Sequence, residues 1–185
     1  MSDTEIIRYC SPTLAGLKTA SLFTTPCDNY DSLRQQILRI NAKLRRCGLR
    51  LIPLSLRKGR ALIYIYREPA LAKDILRTAS SRVLETLGYT PQDVARSVCH
   101  LSRRIRECGD FPHEIGFFLG YPETDVICFM EGRKDYVCAD VWKAYSNEEE
   151  AKKTFTLYRR CTELYTKRLE SGEPIDRLIV KTAEN

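Results

Sequence analysis

The chain has 185 residues, 43% of them hydrophobic, and a formal net charge of +6 at neutral pH. That length buries an ordinary single core without disulfides or a structural metal. No apolar run is long enough to span a bilayer, and the Met-Ser-Asp-Thr-Glu opening has no secretion-type leader, so the sequence reads as a cytoplasmic protein with no membrane partner. Eight cysteines (Cys10, Cys27, Cys47, Cys99, Cys108, Cys128, Cys138 and Cys161) are then expected as free thiols. The basic residues are scattered: Arg45-Arg46, Arg103-Arg104 with Arg106, Lys152-Lys153 and Arg159-Arg160 fall in different segments among acids such as Glu107 and Glu148. With no basic block or nucleic-acid motif beside them, they read as solvated helix faces and argue against a nucleic-acid partner.

In chain order, CSPTLAGLKTASLF predicts a helix capped by Ser11 with Pro12 in its first turn, which puts Cys10 just outside a helix N-terminus. A second helix is expected from Asp31 to Cys47 on the stripe Leu33, Ile37, Ile40 and Leu44, with Gly48 ending it. RLIPLS and RALIYIYR, split by Leu56-Arg57-Lys58-Gly59, predict a β-hairpin with Pro53 at an edge or bulge. Pro69 opens a helix reaching toward Gly88, and Thr90-Pro91-Gln92-Asp93 caps another that runs through Val98, Leu101, Ile105 and Cys108 to a stop at Gly109.

EIGFFLG reads as a buried strand and Pro122 as the start of a short helix ending at Gly132. YVCADVWKAY favours extended structure, Ser146-Asn147-Glu148-Glu149 caps a long helix closed by Gly172, and IDRLIV predicts a last strand. The echo between Leu87-Gly88-Tyr89 with Thr90-Pro91-Gln92-Asp93-Val94 and Leu119-Gly120-Tyr121 with Pro122-Glu123-Thr124-Asp125-Val126 is one local solution used twice, a glycine turn before a capped helix. This order of elements favours a single α+β domain over residues 1–185, with short flexible ends about 1–8 and 181–185 and a small, largely antiparallel sheet packed with several helices.

CSPTLAGLKTASLF, RALIYIYR, FPHEIGFFLGYPETDV and WKAYSNEEEAKKTFTLYRRCTELY together resemble the landmarks of domain-of-unknown-function family 3793, found mostly in anaerobic Gram-positive bacteria. The likeness runs from Cys10 to Val180 and is most specific in HEIGFFLGYP. It implies a single cytosolic bacterial domain and assigns no activity, ligand or cofactor.

The residues themselves offer a site around Phe111 to Phe129. A thiol at a helix N-terminus favours its thiolate, so Cys10 is a candidate nucleophile with His113 as its base and Glu114 as a third catalytic member. In a strand, however, Glu114 points away from His113, and His113 shares a face with Ile115, Phe117 and Leu119 as a core histidine does. Cys99, His100, Cys108, His113 and Glu114 lack the spacing of a metal site. A third reading is an anion-binding pocket formed by the amides of the Pro-initiated helix starts at Pro12, next to Ser11, and at Pro122, and by the Gly120-Tyr121 turn, with Lys18, Arg67 and Lys143 supplying charge. Tyr64, Tyr66, Tyr121, Trp142 and Tyr145 are candidate aromatic linings. The expectation is a small-molecule-binding protein, with thiol-dependent activity and enzyme status left open. The alternative is a non-catalytic interaction or regulatory protein, with room for a homodimer.

Overall fold

The structure, a computed structural model, describes residues 1–107 and 111–181. Helix α1 spans Asp3–Leu14 and is fixed by a capping box in which the Ser2 side chain accepts from the Glu5 amide and the Glu5 carboxylate accepts from the Ser2 amide. This start signal outranks the one at Ser11-Pro12. The opening residues therefore form the first turns of this helix, with Ile6 and Ile7 buried, and Pro12 falls in the last turn. Chain direction reverses at Gly16, and the remainder of the expected first helix becomes strand β1, Ala20–Pro26.

Helix α2 (Tyr30–Leu44) follows its predicted stripe and passes through a short 3-10 turn, Arg45–Cys47, to Gly48. Strands β2 (Leu49–Arg57) and β3 (Arg60–Arg67) form the expected hairpin, and β1 pairs with the other side of β3. Every pairing is antiparallel, and Pro53 lies on edge strand β2 at a register shift next to Ser55, where a missing N–H breaks no ladder.

The central strand sorts the molecule into two cores. Ala61, Ile63 and Ile65 face one side with Cys10, Leu14, Phe23, Leu33 and Cys161, whereas Tyr64 and Tyr66 face the other with Leu71, Leu84, Leu101, Phe117 and Phe118. The period-2 alternation of a strand covered on both faces produces this split.

On the second face lie α3 (Glu68–Ile75), α4 (Thr78–Thr86), α5 (Val94–Glu107), α6 (Ile115–Phe118) and α7 (Glu123–Met130). The helix expected to run unbroken from Pro69 divides at Leu76-Arg77, where the exposed Leu76 interrupts the stripe. Asp93 caps α5 by accepting from the Arg96 amide, while Cys108 and Gly109, expected at its end, lie outside the described residues, as do residues 182–185.

EIGFFLG is a short helix and turn in place of a strand. A run buried on all sides looks alike in either state, and here Gly116 admits Val126 of α7 against the α6 backbone. YVCADVWKAY does form a two-stranded ribbon, β4 (Cys138–Ala139) with β5 (Lys143–Ala144). Helix α8 (Glu148–Glu170), capped by Asn147 through the Glu150 amide, packs along α1. IDRLIV gives a 3-10 turn at Ile175–Arg177 and an extended tail whose Val180 amide donates to the Leu14 carbonyl. The whole is a single compact α+β domain.

Candidate ligand cavity

A cavity of about 500 Å³ opens where the Phe111–Gly116 segment, α7 and the β4–β5 ribbon meet. Its walls are apolar and aromatic: Ile115, Val126, Phe129, Tyr121, Val141 and Trp142, with Phe111 at the mouth. Asp125 holds it together from the first turn of α7. This buried carboxylate accepts from Trp142 Nε1 at 2.8 Å, from the Tyr145 amide at 2.8 Å and from Ser146 Oγ at 3.4 Å, so it clamps the ribbon onto the helix. Its oxygens are satisfied internally, and Asp140, which also lines the cavity, is paired with Arg159 at 2.9 Å, so His113 and Lys143 are the polar lining groups without a carboxylate or guanidinium partner among the described residues.

His113 sits in the turn before α6, exposed, with its ring 4.8 Å from that of Phe129. Lys143 Nζ lies 5.3 Å from the Phe129 ring and 5.1 Å from the Tyr136 ring, and no carboxylate pairs with it among the described residues. Trp142 stacks on Tyr121 with centroids 5.2 Å apart and meets Phe155 of α8 edge-on at 4.5 Å. These rings fix the width of the cavity by packing, because aromatic pairs prefer such offset and T-shaped contacts.

The other expected site residues fall elsewhere. Cys10 lies in the inward C-terminal half of α1, fully buried in the first core, so the helix-start argument for a thiolate does not apply there. Burial pushes its thiol pKa well up, against a weaker pull from Lys18. The sheet separates its core from the one next to His113.

Glu114 turns away from His113 into the second core. It accepts from Tyr89 Oη at 2.9 Å and pairs with Arg104 Nε at 2.5 Å, pinning the turn to α5. Burial, and then Glu114 itself, push the Tyr89 hydroxyl pKa up. Ser11 is buried, with its hydroxyl donating to the Ile7 carbonyl. Arg67 is buried and donates to the carbonyls of Thr13 (2.7 Å), Leu14 (2.6 Å) and Val180 (2.8 Å), closing the C-terminus of α1. Gly120 and Tyr121 complete the end of α6: their amides donate to the carbonyls of Phe117 and Gly116, so this turn serves backbone geometry while the Tyr121 ring serves the cavity.

Lys18 occupies a second, smaller cavity of about 300 Å³ between α1, α8 and the Asp140-Val141 loop of the ribbon. Its ammonium is 5.1 Å from the Tyr121 ring and 6.0 Å from the Tyr158 ring, half-buried and without a carboxylate partner among the described residues. Burial pulls its pKa down to about 8, with Cys10 opposing weakly. Across the same cavity Arg159 pairs with Asp140 at 2.9 Å.

Of the five candidate aromatics, Tyr121 and Trp142 line the larger cavity, whereas Tyr64 and Tyr66 stack within the second core and Tyr145 is buried against Asp125 and Arg133. Sequence reasoning gave no site role to Asp125, which read only as part of a helix start, and used Phe129 only as the end of the favoured segment. The partners of Asp125 lie in a different element, and no local spacing announces them. The seven described cysteines are free thiols, and no group of three metal-ligating side chains is gathered among the described residues. No helix is long and apolar enough to cross a membrane.

These features define a small α+β protein with an aromatic cavity on one side of a helix-covered sheet. The chain belongs to the protein family of unknown function DUF3793, whose profile matches residues 6–179. No curated protein and no solved structure matches it significantly.

Proposed function

We propose that this protein binds a small, planar, largely apolar molecule carrying a negative group, with Lys143 and His113 meeting that group at the rim of the larger cavity. The observation that carries this reading is the cavity itself: about 500 Å³, walled by Tyr121, Phe129, Trp142, Ile115 and Val126, with an ammonium at its edge that no carboxylate neutralises among the described residues. Volume and lining fall within the range of small-molecule sites, and a few polar groups on apolar walls are what orient such ligands. Cys10 and Glu114 take no part in this reading; one is enclosed in the far core and the other is engaged with Tyr89 and Arg104.

Native mass spectrometry of protein purified from the cells that make it, compared with its denatured mass, tests the proposal. A small molecule retained by the wild type and lost from an Ala139→Trp variant, which places a ring into the cavity from an exposed position on its wall, is the expected result. Retention by both would place the guest elsewhere.

A second reading, a non-catalytic interaction protein, draws on Leu157 and Leu164. They are 48% and 54% exposed, two turns apart on α8, and Leu157 borders a shallow groove with Lys153 and Arg160. It predicts self-association in sedimentation that Leu157→Glu abolishes.

A further inference from the structure

Sequence arguments look for a nucleophile at a cysteine; the folded chain presents an amine. We propose that Lys18 is a carbonyl-reactive residue that forms an imine with an aromatic aldehyde held in the cavity between α1, α8 and the β4–β5 ribbon. This goes beyond the ligand reading above, since it concerns the smaller cavity and a covalent step.

Three observations converge on Lys18. First, its amine lies over two aromatic rings, 5.1 Å from Tyr121 and 6.0 Å from Tyr158, whose weak cation–π attraction is all that offsets desolvation of its protonated form, because no carboxylate within ion-pair reach among the described residues pairs with it. Other lysines here have such partners: Lys43 pairs with Asp176, Lys152 with Glu148 and Lys153 with Glu149. Second, the amine borders a cavity of about 300 Å³, room enough for a single ring, with Tyr9, Phe155 and Tyr158 as walls. Third, the charged groups around it leave the amine unneutralised. Asp140 of the ribbon is engaged by Arg159 of α8. Tyr121 and Tyr158 are held protonated by burial, as is Cys10 of α1.

Desolvation of an amine without a counter-ion favours its neutral, nucleophilic form, the arrangement that makes lysines reactive toward carbonyls. The pull of its pKa down to about 8 agrees with that placement.

The chemistry balances without a further reagent. The Nζ lone pair adds to the carbonyl carbon as the C–O π bond becomes a carbinolamine hydroxyl. That hydroxyl then leaves, taking both amine hydrogens away as water, and a C=N bond remains. Ring stacking on Tyr158 and Phe155 orients the aldehyde, and the water formed leaves through the open side of the cavity.

Reductive trapping tests this on the wild-type protein. Benzaldehyde and sodium cyanoborohydride are added at a series of pH values, and the benzylated lysines are mapped by mass spectrometry against the exposed Lys134. At pH 7 Lys18 is expected to label at least about tenfold faster than Lys134, in keeping with a Lys18 pKa lowered from the ordinary 10.5 to about 8. Lys18 labelling should level off as pH rises past about 8, where its amine is already neutral. A Lys18→Arg variant keeps the positive charge and should lose this adduct while its melting temperature stays close to wild type. Labelling of Lys18 no faster than Lys134 at pH 7 would overturn the proposal, and would leave Lys18 as a cation that binds anions only.

Discussion

His113 and Glu114 are adjacent in sequence and do unrelated work. Glu114 is enclosed, bonded to Tyr89 Oη and Arg104 Nε, whereas His113 stands at the cavity rim against Phe129. Removing the carboxylate charge of a buried, doubly bonded group costs about 2 kcal/mol or more, and truncating an exposed ring costs about 0.5 kcal/mol or less. Urea unfolding should therefore show Glu114→Gln strongly destabilised and His113→Ala nearly unchanged.

Lys18 allows a prediction with a definite sign. Its folded-state pKa is depressed to about 8 by burial, from an ordinary value of 10.5. Between those values the unfolded chain binds more protons than the folded one, so this group's contribution to stability rises with pH across that window. At pH 7 the folded state bears the cost of desolvating the charge, which Lys18→Met removes. The variant should be the more stable protein at pH 7, and its advantage should shrink as unfolding is measured toward pH 10.

At the scale of elements, the two glycines of HEIGFFLGYP do different things. A methyl on Gly116 would lie 2.7 Å from Val126 Cγ2, so Gly116→Ala forces α6 and α7 apart, at a cost of about 1–3 kcal/mol. Because one neighbour carries the clash, Val126→Ala in the same chain should recover much of that loss, a coupling that a double-mutant cycle in urea would read. Gly120 combines a φ of +73° with a Cβ position 2.5 Å from Thr19 Oγ1, whose hydroxyl is fixed on Asp74, and Gly120→Ala should cost about 2 kcal/mol or more with no single rescuing partner.

Gly88 and Gly120 end their helices alike. Each is followed by a tyrosine whose amide donates at 3.0 Å to a carbonyl five residues back, Leu84 for Tyr89 and Gly116 for Tyr121. The echo in the sequence is thus a helix-ending motif used twice. What was legible was local: turn glycines, the β2–β3 hairpin with its proline bulge, and the stripes of α2, α5 and α8. The misread elements are those where local signals compete, as at Ser11-Pro12 against the Ser2–Glu5 box, or vanish, as in the all-buried α6.

At the scale of the whole molecule, the sheet divides the chain's chemistry. The first core takes Cys10 and Cys161 and closes over them with α1 and α8, and the second carries α6 and α7 out to the ribbon. The α+β class followed from the order of elements, and one wall of the cavity falls in the Phe111–Phe129 segment that the sequence singled out, but the wall facing it does not. The cavity is assembled from segments around residues 111–129 and 139–143 that no periodicity connects, and the clamp from Asp125 to Trp142 exists only once the ribbon folds back. Arg67 shows the same limit, since its carbonyl partners at Thr13, Leu14 and Val180 are far away in sequence.

Trp142 is the chain's one tryptophan and forms a wall of the larger cavity, so its emission reports directly on whether that cavity is a binding site. The decisive measurement is a titration with anilinonaphthalene sulfonate, an anion with a planar naphthalene ring, followed through Trp142 fluorescence in the wild type and in Lys143→Met. A cavity built for such molecules predicts saturable quenching at one probe per chain, weakened about tenfold in the variant, which corresponds to about 1.4 kcal/mol from the lost ammonium. Emission that does not change, or identical titrations in the two proteins, would contradict it.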